Sequence, residues 1–261
     1  VLVLKRYDDA LRDGDHIHAV VAGGGLSNDG KGQFVLSPNS KGQVLAYERA
    51  YKEAQVTPKD VDYIECHATG TPLGDKVELT SMETFFTAKG AAPKIGSVKS
   101  NLGHLLTAAG MPGMMKTIMS MNENKIPPTI NLSNPITSPK GNFGKDSIPT
   151  EVLPWPAKAN GAPRRAGVSV FGFGGCNAHL VLEEHMSDAA VENTGVQSSE
   201  FQQQAMTIVG MASHFGPCKN LTEFKDTIYQ GECKQVPVPA SRWKGIEKHP
   251  EVLNQFGIAE A

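Results

Sequence analysis

The fold class this sequence predicts is α/β, and three observations predict it. Strand-length apolar runs alternate with amphipathic stretches at helical spacing from residue 17 onward, the order that builds a sheet with helices packed on its faces. Two of those runs, ending near Cys66 and Val98, give way to polar residues, as strands do where an α/β sheet presents groups to a ligand. The 261 residues are 39% hydrophobic and 20% charged, which supplies side chains for a sizeable core and excludes a disordered tail.

The elements follow in order. Val1 to Leu4 reads as a strand, Asp13 to Asp15 as a charged turn, and Ile17 to Ala22 as a second strand that the Gly23-Gly24-Gly25 run breaks. Val44, Tyr47, Tyr51 and Ala54 recur at three- and four-residue spacing, so a helix is expected from about Lys41 to Ala54, with Asn39 or Ser40 as its cap. Thr57-Pro58-Lys59-Asp60 has the form of a capping box with Pro at the first helical position, leading into a strand over 61–66. Leu79, Met82 and Phe86 mark a further helix, and Ile95 to Val98 a further strand. Residues 102–121 carry only His104 and Lys116 as titratable groups, yet Pro112 and the glycines argue for a helix buried on all sides, not a membrane span. The Pro-, Asn- and Ser-rich residues 122–163 read as an ordered excursion over the surface. Strands return at Ala166 to Phe171 and Leu180 to Glu183.

Residues 186–204 shift to Ser, Gln, Glu and Asn without apolar periodicity, the composition of a linker. A second unit opens after it: Thr207 to Met211 is strand-like, and Asn220 with Glu223 starts a helix carrying Leu221, Phe224 and Ile228 on one face. The organisation expected is therefore 1–185, a linker at 186–204, and a unit at 205–261 too short for a secure core of its own. The chain begins with Val1 inside a strand-like run, and it is expected to be a piece of a longer polypeptide.

A net charge of −2 gives no electrostatic footprint for nucleic acid and no polybasic segment for a membrane surface. The four cysteines, Cys66, Cys176, Cys218 and Cys233, form no CxxC pair, which favours a reducing compartment with cytoplasm as the default.

Three segments carry chemistry: ECHATGTPLGD at 65–75, KSNLGH at 99–104 and FGFGGCNAH at 171–179. Each follows a predicted strand, so His67 and His104 are expected to converge at one edge of a parallel sheet, where imidazoles can donate hydrogen bonds to a developing oxyanion. A zinc site from Cys66, His67, His104, Cys176 and His179 is the weaker alternative, because the segments lack a known zinc spacing. Neither glycine run makes the GxGxxG of dinucleotide binding.

These motifs, in this order, resemble the C-terminal half of a β-ketoacyl synthase, a condensing enzyme of layered α/β/α/β/α, thiolase-like fold. The resemblance covers about residues 1–185 and implies that His67 and His104 are the catalytic histidines of a decarboxylative condensation, with Lys99 as the accompanying lysine and Glu78 as its carboxylate partner. It implies that the hydroxyls of Thr69 and Thr71 bind the phosphopantetheine arm of an acyl carrier protein, that Phe173 is a gating residue, and that Gly174 lies in the turn approaching the reacting carbonyl. The substrates implied are malonyl and acyl thioesters, with no cofactor or metal bound by the domain itself. The family's nucleophilic cysteine is expected before Val1, so this stretch alone is expected to be inactive. Cys66 and Cys176 depart from the family pattern and read as small buried fillers, and Ala68 in place of Gly as a mild change.

The residues after the linker resemble the opening of a second ketosynthase-like domain, with a P-x-x-R-W turn at 239–243. That tandem is similar to the ketosynthase and chain-length factor of polyunsaturated fatty-acid synthases, which implies a ketosynthase/chain-length-factor dimer partner. A ketosynthase of a modular polyketide synthase and a non-catalytic scaffold are the alternatives.

Overall fold

A computed structural model describes residues 1–30, 37–172, 174–186 and 206–235. Phe173, nearly all of the expected linker and the 239–243 turn lie outside the described residues. The elements are β1 (Leu2–Arg6), α1 (Tyr7–Asp13), β2 (Ala19–Asn28), α2 (Ser40–Glu53), β3 (Tyr63–Glu65), α3 (Pro72–Phe85), β4 (Lys94–Gly96), α4 (Lys99–Leu102), α5 (Gly110–Asn122), β5 (Lys125–Ile126), β6 (Leu153–Pro154), β7 (Arg165–Gly172), β8 (Cys176–Glu183), β9 (Met206–Met211) and α6 (Leu221–Tyr229). A mixed sheet has the order β1-β9-β2-β8-β7-β3-β4, in which β4, β3 and β7 are parallel and the other pairings antiparallel.

The sheet is covered on both faces. On one, Tyr47, Tyr51, Met82, Phe85 and Phe86 of the α2 and α3 regions pack with Ile64 and Phe171. On the other, Met114, Ile118 and Met121 of α5 pack with Tyr63, Val168 and Leu182. Strand side chains alternate between faces, so in β3 Ile64 meets α2 and α3 while Tyr63 and Glu65 meet α5.

Helix α2 begins one residue before its expected start, and the Asn39 side chain accepts from the Lys41 N–H at 3.1 Å. Asp60 accepts the Thr57 N–H at 2.8 Å, which closes the 58–60 turn as a single 3-10 turn. The triple glycine does not break its strand: β2 runs through it. Helix α2 crosses so close that a Cβ on Gly23 would stand 2.4 Å from the Ala54 nitrogen, and one on Gly25 would stand 2.0 Å from the Ala46 oxygen. The 102–121 run is likewise not one helix. It divides into the end of α4, a 3-10 turn at Leu106–Ala108, and α5, whose residues 112–121 are all buried. The 122–163 excursion is ordered, but it is not confined to the surface, because Ile126, Phe143 and Trp155 enter the core.

The segment after the linker joins the same sheet. Strand β9 lies between β1 and β2, and α6 places Phe224 and Ile228 against Val98, Met115 and Met119. Its continuation holds α4 by the backbone: Asn101 Nδ2 donates to the Glu232 carbonyl at 2.9 Å, and the Lys234 N–H donates to the Asn101 carbonyl at 2.8 Å. A core of its own is thereby unnecessary for a segment this short. Among the described residues, no helix is long and apolar enough to cross a membrane.

Candidate active site

The site forms beyond the C-terminal ends of β3 and β4, where two adjacent parallel strands deliver their following loops to one place. His67 follows β3 by two residues, and His104 follows the short helix α4. The rings meet edge to face with centroids 5.3 Å apart and planes at 86°, and Phe171 of β7 lies 5.6 Å from the His67 ring. Nδ1 of each histidine is buried without a hydrogen-bond partner, which leaves Nε2 as the nitrogen available to a bound group. Burial pushes the His67 imidazole down to about 3, with the Lys99 cation and His104 acting in the same direction. At neutral pH it is an uncharged N–H donor.

Glu78 anchors that loop. From α3 its Oε1 accepts the His67 N–H and its Oε2 the Ala68 N–H, both at 2.8 Å. The sequence expectation paired Glu78 with Lys99; the hydrogen bonds go to the His67 backbone instead. Among the described residues no ion pair joins Glu78 to Lys99, which acts on the carboxylate through the field alone. Burial lifts the Glu78 carboxyl to about 7 against the opposing pull of the two N–H bonds and of Lys99. Lys99 is itself 8% exposed; burial lowers its ammonium pKa, while Glu65 and Glu78 raise it.

Thr69 and Thr71 sit on the same loop with hydroxyls 3.1 Å apart, Thr69 half-buried and Thr71 exposed at the N-cap of α3. Asp75 in the first turn of α3 accepts the Gly70 N–H at 3.2 Å and fixes the tip between them. Gly174 and Gly175 adopt φ of +81° and +77°, the left-handed turn joining β7 to β8.

Two expectations about departures from the family pattern change. Cys66 is indeed buried, and burial drives its thiol pKa well up, but Cys176 is exposed: it opens β8 at the edge of the glycine turn and is not a core filler. Ala68 is not a mild change, since its φ of +26° lies where a Cβ is strained. His179 of the zinc alternative is elsewhere, wholly buried with Nδ1 3.0 Å from the Ser169 hydroxyl and its ring against Tyr47 and Tyr51. Among the described residues no three His, Cys, Asp or Glu side chains gather as a metal-binding group.

Residues that the sequence left unassigned stand directly behind the histidines. Glu65 and Lys116, 2% and 0% exposed, form a buried ion pair at 2.9 Å. The available signal was a lone lysine on a helix with no polar face, which requires a buried counter-charge.

Residues 18–133 match the family described as beta-ketoacyl synthase, C-terminal domain. This chain carries that domain. It is 38% identical over 265 residues to one component of the polyunsaturated fatty acid synthase of Thraustochytrium sp., covering 99% of this chain and 12% of the relative. Another component of that synthase is 47% identical over 192 residues, covering 70% of this chain and 7% of the relative. The chain thus spans a small fraction of the curated relatives it matches. Among solved structures, the PfaC keto synthase-chain length factor aligns with a TM-score of 0.67 at 51% identity, covering 97% of this chain and 26% of that one. A ketosynthase from module 6 of the bacillaene synthase of Bacillus subtilis 168 aligns with a TM-score of 0.61 at 40% identity, covering 70% of this chain and 33% of that one. The ketosynthase domain therefore has the thiolase-like fold, here its C-terminal half.

Proposed function

We propose that this stretch supplies the decarboxylating half of a condensation centre in a larger fatty-acid or polyketide synthase. The observation that carries the reading is the approach of two histidines, 5.3 Å between ring centroids, each with Nε2 as its open nitrogen. A malonyl thioester on the phosphopantetheine arm of an acyl carrier protein places its carbonyl oxygen between the two N–H donors. The bond to the terminal carboxylate breaks, carbon dioxide leaves, and the electron pair passes to the thioester oxygen as an enolate that both donors stabilise. The enolate carbon then attacks the carbonyl of an enzyme-bound acyl thioester, whose C–S bond breaks and releases the nucleophile as its thiolate. Thr69 and Thr71 receive the arm, Lys99 supplies a positive field, and Glu78 fixes the loop of His67. Phe173 and Gly174 border the acyl group.

The acyl nucleophile lies outside these residues in this reading. Cys66 and Cys218 are buried, and among the described residues nothing at Cys176 or Cys233 provides the base or helix start that activates a thiol. A role in polyunsaturated fatty-acid synthesis is favoured because one component of that synthase and the keto synthase-chain length factor match 99% and 97% of the chain, across the linker, whereas the other component of that synthase and the bacillaene ketosynthase each cover 70%. On that basis 205–261 begins a chain-length-factor domain, and the working partner is a ketosynthase/chain-length-factor dimer.

Release of carbon dioxide from malonyl carrier protein by the complete polypeptide tests the reading. His67→Ala and His104→Ala are each expected to lower the rate about 100- to 1000-fold. Rates within about threefold of wild type for both variants would refute it and leave the non-catalytic scaffold in its place.

A further inference from the structure

Behind the histidines, one carboxylate joins β3, the start of α4 and helix α5. Glu65 is the last residue of β3, two before His67. Its Oε1 accepts the backbone N–H of Val98 at 2.6 Å, the residue that caps α4 and precedes Lys99. Its Oε2 accepts the Tyr63 hydroxyl at 2.7 Å and Lys116 Nζ at 2.9 Å. Lys116 also donates to the Tyr63 oxygen at 2.8 Å, and it projects from α5, the helix that follows His104. All three side chains are at most 2% exposed. Gly113, one turn before Lys116, allows the approach: a Cβ there would stand 2.9 Å from Glu65 Cγ.

A buried ion pair is costly to assemble and rarely improves on apolar packing for stability, so its retention calls for a geometric reason. Here the geometry supplies one. Backbone hydrogen bonds fix β3 to β4 as far as the Cys66 N–H, which donates to the Gly96 carbonyl at 2.8 Å. Beyond that point, among the described residues, no backbone hydrogen bond joins the His67 loop to the Val98–His104 segment, so their placement relative to each other depends on side chains. We propose that Glu65, locked by Lys116 and Tyr63, is a positioning group that holds the His67 loop and the Lys99–His104 segment in register, so that the two imidazoles meet. It touches no substrate. Only the kinetic arm of its test rests on the proposed condensation.

Three variants of the complete polypeptide decide the matter: Lys116→Met, Tyr63→Phe, and the double variant Glu65→Gln/Lys116→Met. Lys116→Met strands a buried carboxylate, whereas the double variant removes both charges and keeps an acceptor for Val98. Hydrogen exchange read peptide by peptide is independent of the reaction. In Lys116→Met, amides of 97–104 are expected to exchange about tenfold faster or more while those of 166–171 keep their rate, and the double variant restores most of the protection. In malonyl decarboxylation, Lys116→Met is expected to lower kcat about 10- to 100-fold with KM within about twofold, and the double variant to recover to within about fivefold of wild type. Tyr63→Phe, which keeps both charges, is expected to show the same pattern at about two- to fivefold, and it decides the question if Lys116→Met fails to fold. Unchanged exchange over 97–104, or acceleration spread equally over both peptides, overturns the proposal. If the wild-type polypeptide releases no carbon dioxide, the condensation reading falls, and the exchange data alone decide the positioning role.

Discussion

Substituting Glu78 by Gln should change how stability depends on pH. The carboxylate is 3% exposed and holds the His67 and Ala68 N–H groups, yet burial lifts its pKa from 4.5 to about 7. Because the folded pKa is raised, the native state binds more protons than the unfolded chain between those values. The contribution of Glu78 to stability is therefore present in full below about 4.5 and declines as pH rises through about 7. Above that, the ionised carboxylate costs about 3 kcal/mol relative to the protonated one. Gln is neutral throughout and removes this dependence. It has a single oxygen for two N–H donors, so one amide loses its acceptor at a cost of about 1–3 kcal/mol. The variant should thus be less stable than wild type at pH 5 by about 1–3 kcal/mol and equal or more stable at pH 8. Urea unfolding of both proteins at pH 5, 6, 7 and 8, followed by the fluorescence of the buried Trp155, measures the difference. Other titrating groups are common to both and largely cancel. A difference that stays constant across this range would refute the assignment of a raised Glu78 pKa.

Three further outcomes follow from the packing. Ala68→Gly relieves the φ of +26° and should raise stability by about 1 kcal/mol, less the extra chain entropy of glycine; a lower urea midpoint would contradict the strain. Cys176 should be alkylated by N-ethylmaleimide in the folded protein, whereas Cys66, buried and with a raised thiol pKa, should react only after unfolding; mass mapping of labelled peptides distinguishes them. Gly25→Ala brings a Cβ to 2.0 Å from a backbone oxygen of α2, which cannot swing aside as a side chain can, and should cost about 3 kcal/mol or more in thermal unfolding.

The legible parts of the fold were those with a local cause. Helix α2 could be read because Tyr47, Tyr51 and an Asn39 cap are all encoded within its own turns. Helix α1 escaped notice because Ala10 is its one buried residue and Leu11 points outward at 45% exposure, so no apolar stripe marks it. The run of glycines in β2 carried the opposite error: a turn signal in isolation, it is a strand whose missing side chains admit the backbone of α2, and only the tertiary contact reveals that. The same division holds at the site. Motif spacing set His67 just after one strand and the Lys99–His104 segment after the next, but it could not say which backbone amides Glu78 would hold. Nor could it connect Glu65 with Lys116, which are 51 residues apart and meet only because β3 and α5 pack together.

The two buried carboxylates divide one task between the faces of the sheet. Glu78, from the α3 side, holds the amides of His67 and Ala68; Glu65, from the α5 side, holds that of Val98. Each fixes backbone and leaves the imidazoles free of side-chain partners at Nδ1. Direct bonding of a carboxylate to either ring would favour the imidazolium, since a neighbouring anion stabilises the protonated form. With the carboxylates on the backbone instead, burial, joined by the Lys99 cation and His104, keeps the His67 ring neutral. A neutral ring can still donate through Nε2–H, and in the proposed reaction it would not hold a malonyl carboxylate by charge in the ground state. In the proposed condensation that hydrogen bond would strengthen as negative charge grows on the thioester oxygen, and only a gain of that kind would lower the barrier to decarboxylation.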